Sequence, residues 1–264
     1  SVRRWFQNSG MEEIKKTMNN GEKKILPDLD GTTALVTGGN RGIGKAIALE
    51  LARAGAQVCV TGRKKRTLDA TVKELNQYTP GAFGRAADVR SEADQRALFR
   101  DIKKVFGKLD ICVPNAGEAT LATVLDTTLK DWQRDIDTNL TGVFLTCREA
   151  LKMMKSRRTG AIIPIISQAG KKPFRLRAAY CASKWGALGF TKSLALEAKD
   201  YNVRVTAVCP ASVATDFQKD NPRGTDWMME AADVAQCVLY LLALSEKVEI
   251  EEIVLKTRLK SKKK

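Results

Sequence analysis

The sequence predicts one α/β domain built on a parallel sheet with helices on both faces, and three observations support this. Short apolar runs alternate with stretches of helical apolar spacing from Thr33 onward. The first run ends in a glycine-rich turn that opens a helix. With 264 residues, 44% of them apolar, the chain can build one large core but is short for two.

Taken in order, the run Ala34-Leu35-Val36 predicts a first strand, and the apolar spacing of 45–54 predicts a helix after the turn. A strand over 57–61, a helix over 67–78, a strand over 84–87, a helix over 93–106 and a strand over 109–113 complete the first half. The second half reads as a helix over 132–154, a strand over 161–167, a helix over 178–198 and a strand over 203–209. A helix over 232–244 and a last strand near 250–256 follow. The alternation implies right-handed crossovers. Seven such strands make a doubly wound, Rossmann-type seven-stranded parallel sheet flanked by helices. The domain spans 31–256, with a polar N-terminal extension over 1–30 and a basic tail over 257–264. In the extension, 11–18 is expected to form a short helix before the breaker run Asn19-Asn20-Gly21. The opening Ser1-Val-Arg-Arg-Trp-Phe6 is open to reading as a leader remnant, an added scar or a docking segment.

Composition narrows the chemistry. There is no histidine, and the six cysteines are scattered without a C-x-x-C pair. A structural zinc site and a histidine-based triad are thereby excluded, no metal is expected, and the thiols read as packed and reduced, as in a cytoplasmic protein. The net charge of +15 steers anionic partners without identifying one. Part of it sits in the tail, which reads as a solvated terminus, so no nucleic acid is expected. No apolar run is long enough to span a membrane, and no signal-peptide core is present.

Catalysis must then use Tyr, Lys, Ser, Asp or Asn. Tyr180-Cys-Ala-Ser-Lys184 places a phenol and an ammonium four residues apart, on one face if the segment is helical. An adjacent cation lowers a phenol from its ordinary pKa of about 10 by two to three units. Ser167, thirteen residues upstream, comes from a separate strand end. The turn Thr37-Gly-Gly-Asn-Arg-Gly-Ile-Gly44 lies between a strand and a helix, the context of a dinucleotide-binding loop. Its residues Gly38, Asn40, Arg41, Gly42, Ile43 and Gly44 are candidate contacts, because glycines admit a pyrophosphate close to the backbone and the helix start offers free N–H groups. The second strand ends in Thr61-Gly62-Arg63-Lys64-Lys65-Arg66, without the carboxylate that would bind an unphosphorylated adenosine ribose. Arg63, with Arg41, is suited to a 2′-phosphate, which favours NADP.

These residues resemble the short-chain dehydrogenase/reductase superfamily, and within it 3-oxoacyl-[acyl-carrier-protein] reductases. The markers, from about Gly31 to Asp216, are the glycine turn, Asp88-Val89, Asn115-Ala-Gly117, Asn139 in Asp-Thr-Asn-Leu-Thr-Gly142, Ser167, Tyr180-x3-Lys184 and Pro210-x4-Thr215. The resemblance implies that Asp88 and Val89 contact adenine and that Asn115, Ala116 and Gly117 lie against the adenosine ribose. Pro210, Val213 and Thr215 match the segment holding the nicotinamide carboxamide. Lys184 would hold the nicotinamide ribose, Ser167 the substrate carbonyl, and Asn139 a water linked to Lys184. Tyr180 would be the general acid in NADPH-dependent reduction of a carbonyl, such as a 3-oxoacyl thioester. The alternatives are an NADP-dependent alcohol, sugar or steroid dehydrogenase, or a dinucleotide-sensing regulatory or nucleic-acid-binding protein. A homodimer or homotetramer through the helices beginning near Trp132 and Ala178 is also implied. Phe144, Leu145, Leu188 and Phe190 fit either that interface or the core. Phe217, Trp227, Met228 and Met229 fit either a lid over an apolar substrate or a packed helix.

The sequence departs from the family pattern at Pro114 and Pro164, where asparagine is common, at Ala211, which follows Pro210, and at its C-terminal end. Pro164 falls inside an expected central strand, where proline removes a ladder donor.

Overall fold

The computed structural model describes residues 27–218 and 224–258. The expected helix over 11–18, the opening hexapeptide and the tail beyond residue 258 lie outside the described residues. Eight strands are described: β1 (Thr33–Val36), β2 (Gln57–Gly62), β3 (Phe83–Ala86), β4 (Ile111–Val113), β5 (Ala161–Ile162), β6 (Arg204–Val205), β7 (Ala207–Pro210) and β8 (Glu252–Leu255). The α-helices are α1 (Gly42–Arg53), α2 (Lys65–Leu75), α3 (Glu92–Phe106), α4 (Leu129–Ile136), α5 (Gly142–Met154), α6 (Ala178–Lys199) and α7 (Ala231–Ala243).

All strand pairs are parallel, in the order β3-β2-β1-β4-β5-β6, with β7-β8 as a second ladder. An Ile165–Val208 bridge joins the two ladders. The expected seven-strand sheet is therefore present in outline, but the strand expected over 161–167 is short and the one over 203–209 is split. Pro164 accounts for the split. On the far side of the strand, Thr206 N–H donates to Ile162 O, Val208 N–H to Pro164 O, and Ile166 N–H to Val208 O. The missing bond is the one from residue 164 to Thr206 O, and proline has no N–H to make it. On its other side the strand stays tied to β4, through Ile163 N–H to Cys112 O and Ile165 N–H to Pro114 O.

Alternation along the strands divides the core. Ala34 and Val36 face one way and pack with Val58, Val60 and Val113 under Ile47, Leu51, Val234 and Val238 of α1 and α7. Leu35 faces the other way, with Cys59, Cys112 and Ile162 under Leu98, Ile102, Val143, Cys147, Met154 and Leu194. Burying each large aliphatic side chain contributes about 1.5–3 kcal/mol. Cys59, Cys112, Cys147, Cys181 and Cys209 are buried and unpaired, and Cys237 is partly buried. Burial raises the thiol pKa of Cys59, Cys112 and Cys147, and that of Cys237 to about 11.

The helix expected over 132–154 is interrupted. α4 passes into a π-helical turn over Asp137–Thr141 before α5 begins, and Asn139 lies within that turn. A π-bulge of this kind turns one side chain out of the regular helical register. Leu145 and Leu188 belong to the core, whereas Phe144 is exposed and meets Phe190 edge-to-face at 5.8 Å. Met228 is buried, and Met229 packs against the core. Among the described residues no helix is long and apolar enough to cross a membrane.

Asp110 pins the starts of β1 and β4 together. It accepts the Thr33 N–H at 3.0 Å and pairs with Lys108 at 2.9 Å and Arg157 at 2.7 Å while only 4% exposed. Asp110→Ala, which removes the carboxylate from two cations and leaves the buried Thr33 N–H without its acceptor, is expected to cost about 2–5 kcal/mol of stability in urea unfolding.

Candidate active site

The strand order reverses between β1 and β4, so the chain leaves their carboxyl ends in opposite directions and opens a crevice there. The crevice walls are held from the β1 side. Thr37 Oγ1 accepts the N–H groups of Asn115 and Ala116, at 3.0 and 3.2 Å. The Asn115 side-chain amide donates back to the carbonyls of Thr37 and Gly38, at 3.0 and 3.3 Å. Space in the turn admits only glycine. Gly38 and Gly42 have φ values of 63° and 54°, and a Cβ on Gly38 would lie 2.9 Å from Ala116 Cα. A Cβ on Gly44 would collide with the Asn115 amide and Gly38 O. α1 therefore begins at Gly42, three residues earlier than expected, with exposed Arg41 as an extended N-cap and Ile43 packed against the core.

The other expected cofactor contacts are distributed around this turn. Asn40 packs on Gly62, and its amide donates to Thr67 Oγ1 at 2.8 Å. Arg63, at the end of β2, extends across to an ion pair with Glu118, just beyond Gly117. Glu118 also pairs with Arg134 of α4 at 3.5 Å. Asp88 is held by Arg90, whose hydrogen bonds keep the carboxyl below its ordinary range, and Val89 is buried against Gly142. On the opposite side Thr215 approaches Gly42, Val213 bridges to Met229, and the partly buried Ala211 after Pro210 donates its N–H to Leu255 O at 2.9 Å. Nothing in sequence spacing singles out Glu118, which meets Arg63 only through the fold. The free N–H groups at the start of α1, which the tightly packed glycine turn leads into, fit a dinucleotide pyrophosphate.

Tyr180 and Lys184 share one face of α6, as their spacing predicts, with the ammonium 5.8 Å from the phenol ring centroid. Ser167 faces the phenol from the strand end, so the three expected residues meet. Lys184 is 3% exposed and donates to Ile165 O at 3.2 Å. Asn139 Oδ1 accepts the Glu118 N–H at 3.0 Å, and its amide donates to Glu118 O at 2.8 Å and Ser183 Oγ at 3.0 Å. Gly117 sits between Asn139 and Lys184; a Cβ there would lie 3.1 Å from Asn139 Oδ1 and 3.8 Å from Lys184 Nζ.

The electrostatics correct one expectation. The Tyr180 phenol is not lowered: burial raises its pKa above the ordinary value, and the opposing influences are Ser167 and Arg177. Burial also lowers Lys184, to about 8. Desolvation acts on both groups and disfavours each charged form. Two further groups meet the phenol. The Arg177 guanidinium lies 5.8 Å from the ring centroid, and the Phe217 ring 6.2 Å away. Of the four residues that fit either a lid or a packed helix, Phe217 is the one at the phenol. Arg177 precedes Tyr180 by about one helical turn, a legible spacing that the Lys184 pairing overshadows.

The short chain dehydrogenase family model matches residues 32–226. A 3-oxoacyl-[acyl-carrier-protein] reductase of Synechocystis sp. is 39% identical over 193 residues, 73% of this chain and 78% of that protein. A D-threitol dehydrogenase of Mycolicibacterium smegmatis is 37% identical over 199 residues, 74% of this chain and 76% of that protein. Among solved structures, an alcohol dehydrogenase from the archaeon Thermococcus sibiricus, complexed with 5-hydroxy-NADP, superimposes with a TM-score of 0.80 at 26% identity. It covers 88% of this chain and 99% of its own. The chain belongs to the short-chain dehydrogenase family of NAD(P)-binding oxidoreductases.

Two outcomes follow from this geometry. Gly44→Ala should weaken binding of either nicotinamide dinucleotide by about tenfold or more in a fluorescence titration, because the turn cannot keep its shape around a methyl. For Lys184, below about pH 8 both folded and unfolded chains carry the proton and the fold bears the full cost of a buried charge. Between about 8 and its ordinary 10.5 the unfolded chain holds more protons, so stability rises with pH. Lys184→Met should thus be the more stable protein at neutral pH, by on the order of 3 kcal/mol, with the gap closing as pH passes through that window in denaturant titrations.

Proposed function

We propose that the protein is an NADPH-dependent carbonyl reductase in which Tyr180 donates the proton. The observation that carries this reading is the meeting of Tyr180, Ser167 and Lys184 beside the glycine-walled crevice. A bound reduced nicotinamide would supply the hydride. Ser167 and the Tyr180 hydroxyl hold the carbonyl oxygen, and Tyr180 gives up its proton as charge develops there. A phenol raised by burial stays protonated at neutral pH, which suits donation. Lys184 holds the ribose hydroxyls and places a cation near the forming phenolate. Asn139, fixed by Glu118 and Ser183, stands behind Lys184 to carry a water.

The crevice residues have matching roles. Gly38, Asn40, Arg41, Gly42, Ile43 and Gly44 would hold the pyrophosphate, and Asp88 and Val89 the adenine. Asn115, Ala116 and Gly117 would contact the adenosine ribose, and Pro210, Val213 and Thr215 the carboxamide. Arg63 supports the choice of NADPH: a 2′-phosphate offers a guanidinium more charge than its Glu118 carboxylate does. The name of the Synechocystis relative supports a 3-oxoacyl thioester as substrate, and that of the threitol dehydrogenase supports the reverse reaction on a polyol with the same residues. Exposed Trp132, Phe144 and Trp185, on α4, α5 and α6, support a homo-oligomer.

The test follows dinucleotide oxidation with acetoacetyl thioesters and small ketones. Turnover should favour NADPH over NADH, and Arg63→Ala should shrink that preference by about tenfold. Tyr180→Phe should lower kcat by about 10²–10⁴-fold while dinucleotide affinity stays within about threefold. Reduction should hold level below about pH 8 and decline above it as Lys184 loses its charge. A Tyr180→Phe protein that reduces ketones at the original rate would refute the assignment.

A further inference from the structure

The cations around the crevice are mostly matched by carboxylates. Arg63 and Arg134 share Glu118, Arg90 holds Asp88, and Lys171 and Lys192 share Glu252. Arg177 differs. It is partly buried, and among the described residues its side chain meets the Tyr180 ring instead of a carboxylate. Its backbone is fixed on two sides. Arg177 O accepts the Cys181 N–H at 2.8 Å, and Arg177 bridges to Ala122, whose N–H donates to Leu176 O at 3.0 Å. The guanidinium lies on the same ring that Phe217 approaches. A contact with an aromatic face is worth about 0.5–1 kcal/mol at an exposed site and leaves the five N–H donors of the guanidinium available.

Resting on the reductase reading above, we propose that Arg177 recognises an oxyanion on the substrate, so that the preferred ketone carries a carboxylate or phosphate a few bonds from the carbonyl. The guanidinium lies 5.8 Å from the ring centroid of the proton donor, so a small substrate held at that ring has an oxyanion-binding side chain beside it. A planar guanidinium also binds either oxyanion through two parallel hydrogen bonds. Lys172 and Arg175 lie on the exposed stretch leading to Arg177 and add to the positive field at the mouth. No chemical step is added: the oxyanion is bound, and the ketone is reduced as before.

The test uses matched pairs that differ in charge at constant ketone: acetoacetate and its methyl ester, 4-oxopentanoate and its methyl ester, and dihydroxyacetone phosphate and dihydroxyacetone. KM and kcat are measured for the full chain, for Arg177→Gln and for Arg177→Lys. Calorimetric binding of each compound to the NADP-loaded Tyr180→Phe protein, with and without Arg177→Gln, gives a readout independent of turnover. In at least one pair the anionic member should be preferred. Arg177→Gln should raise its KM by about tenfold or more relative to that of its neutral partner, and Arg177→Lys should restore part of the difference. The pair that responds separates carboxylate from phosphate. Equal losses for charged and neutral members would overturn the proposal and reduce Arg177 to a support for Tyr180. Turnover or binding that ignores charge, or no binding of any anion, would overturn it as well. If charged compounds bind through Arg177 but none is reduced, the oxyanion site stands and the reductase reading falls.

Discussion

The joining of two strand ends is the constraint on which the site depends. At the reversal of strand order the chain departs from β1 and β4 in opposite directions, and the crevice would splay without a tie between them. Thr37 and Asn115 supply that tie by exchanging backbone and side-chain hydrogen bonds. The tie forces the glycines, because the Asn115 amide and Ala116 occupy the space that Cβ atoms on Gly44 and Gly38 would need. It also sets Gly117 and Glu118, and through them Asn139, whose side chain bonds both backbone groups of Glu118. One local packing problem is thereby transmitted to the opposite wall of the site.

That opposite wall is dominated by desolvation. An ammonium that is 3% exposed, donating to a backbone carbonyl, keeps its charge less readily than one in water, and the neighbouring phenol keeps its proton more readily. Both shifts oppose separation of charge between the two side chains before a substrate arrives. Arg177 is the charge that acts on the phenol against burial.

Much of the architecture was legible in the sequence. Alternating apolar runs located the strands and helices of each layer in order, with two neighbouring pairs read as single elements, and the Tyr180–Lys184 spacing correctly placed both side chains on one helix face. What was not legible involved partners distant in sequence or a loss of regularity. The π-helical turn at Asn139 leaves apolar periodicity almost intact, so 132–154 reads as one helix. Pro164 was visible as a missing donor, but which acceptor it deprives depends on strand order, and only the fold identifies Thr206. The phenol's direction of shift could not be read from spacing, because a lysine four residues away says nothing about how much water either group retains. Glu118 likewise acquires Arg63 and Arg134 only when three elements converge.

The cysteines carry a different consequence. Cys181 lies directly beside Tyr180 and Cys209 at the end of β7, yet both are buried, as are Cys59, Cys112 and Cys147. Thiolate is the form that peroxide and alkylating reagents attack, and burial suppresses it at Cys59, Cys112, Cys147, Cys209 and Cys237. Among the described residues the sulfur that a peroxide or an alkylating reagent would seek is thus kept mostly out of reach and in its unreactive, protonated form.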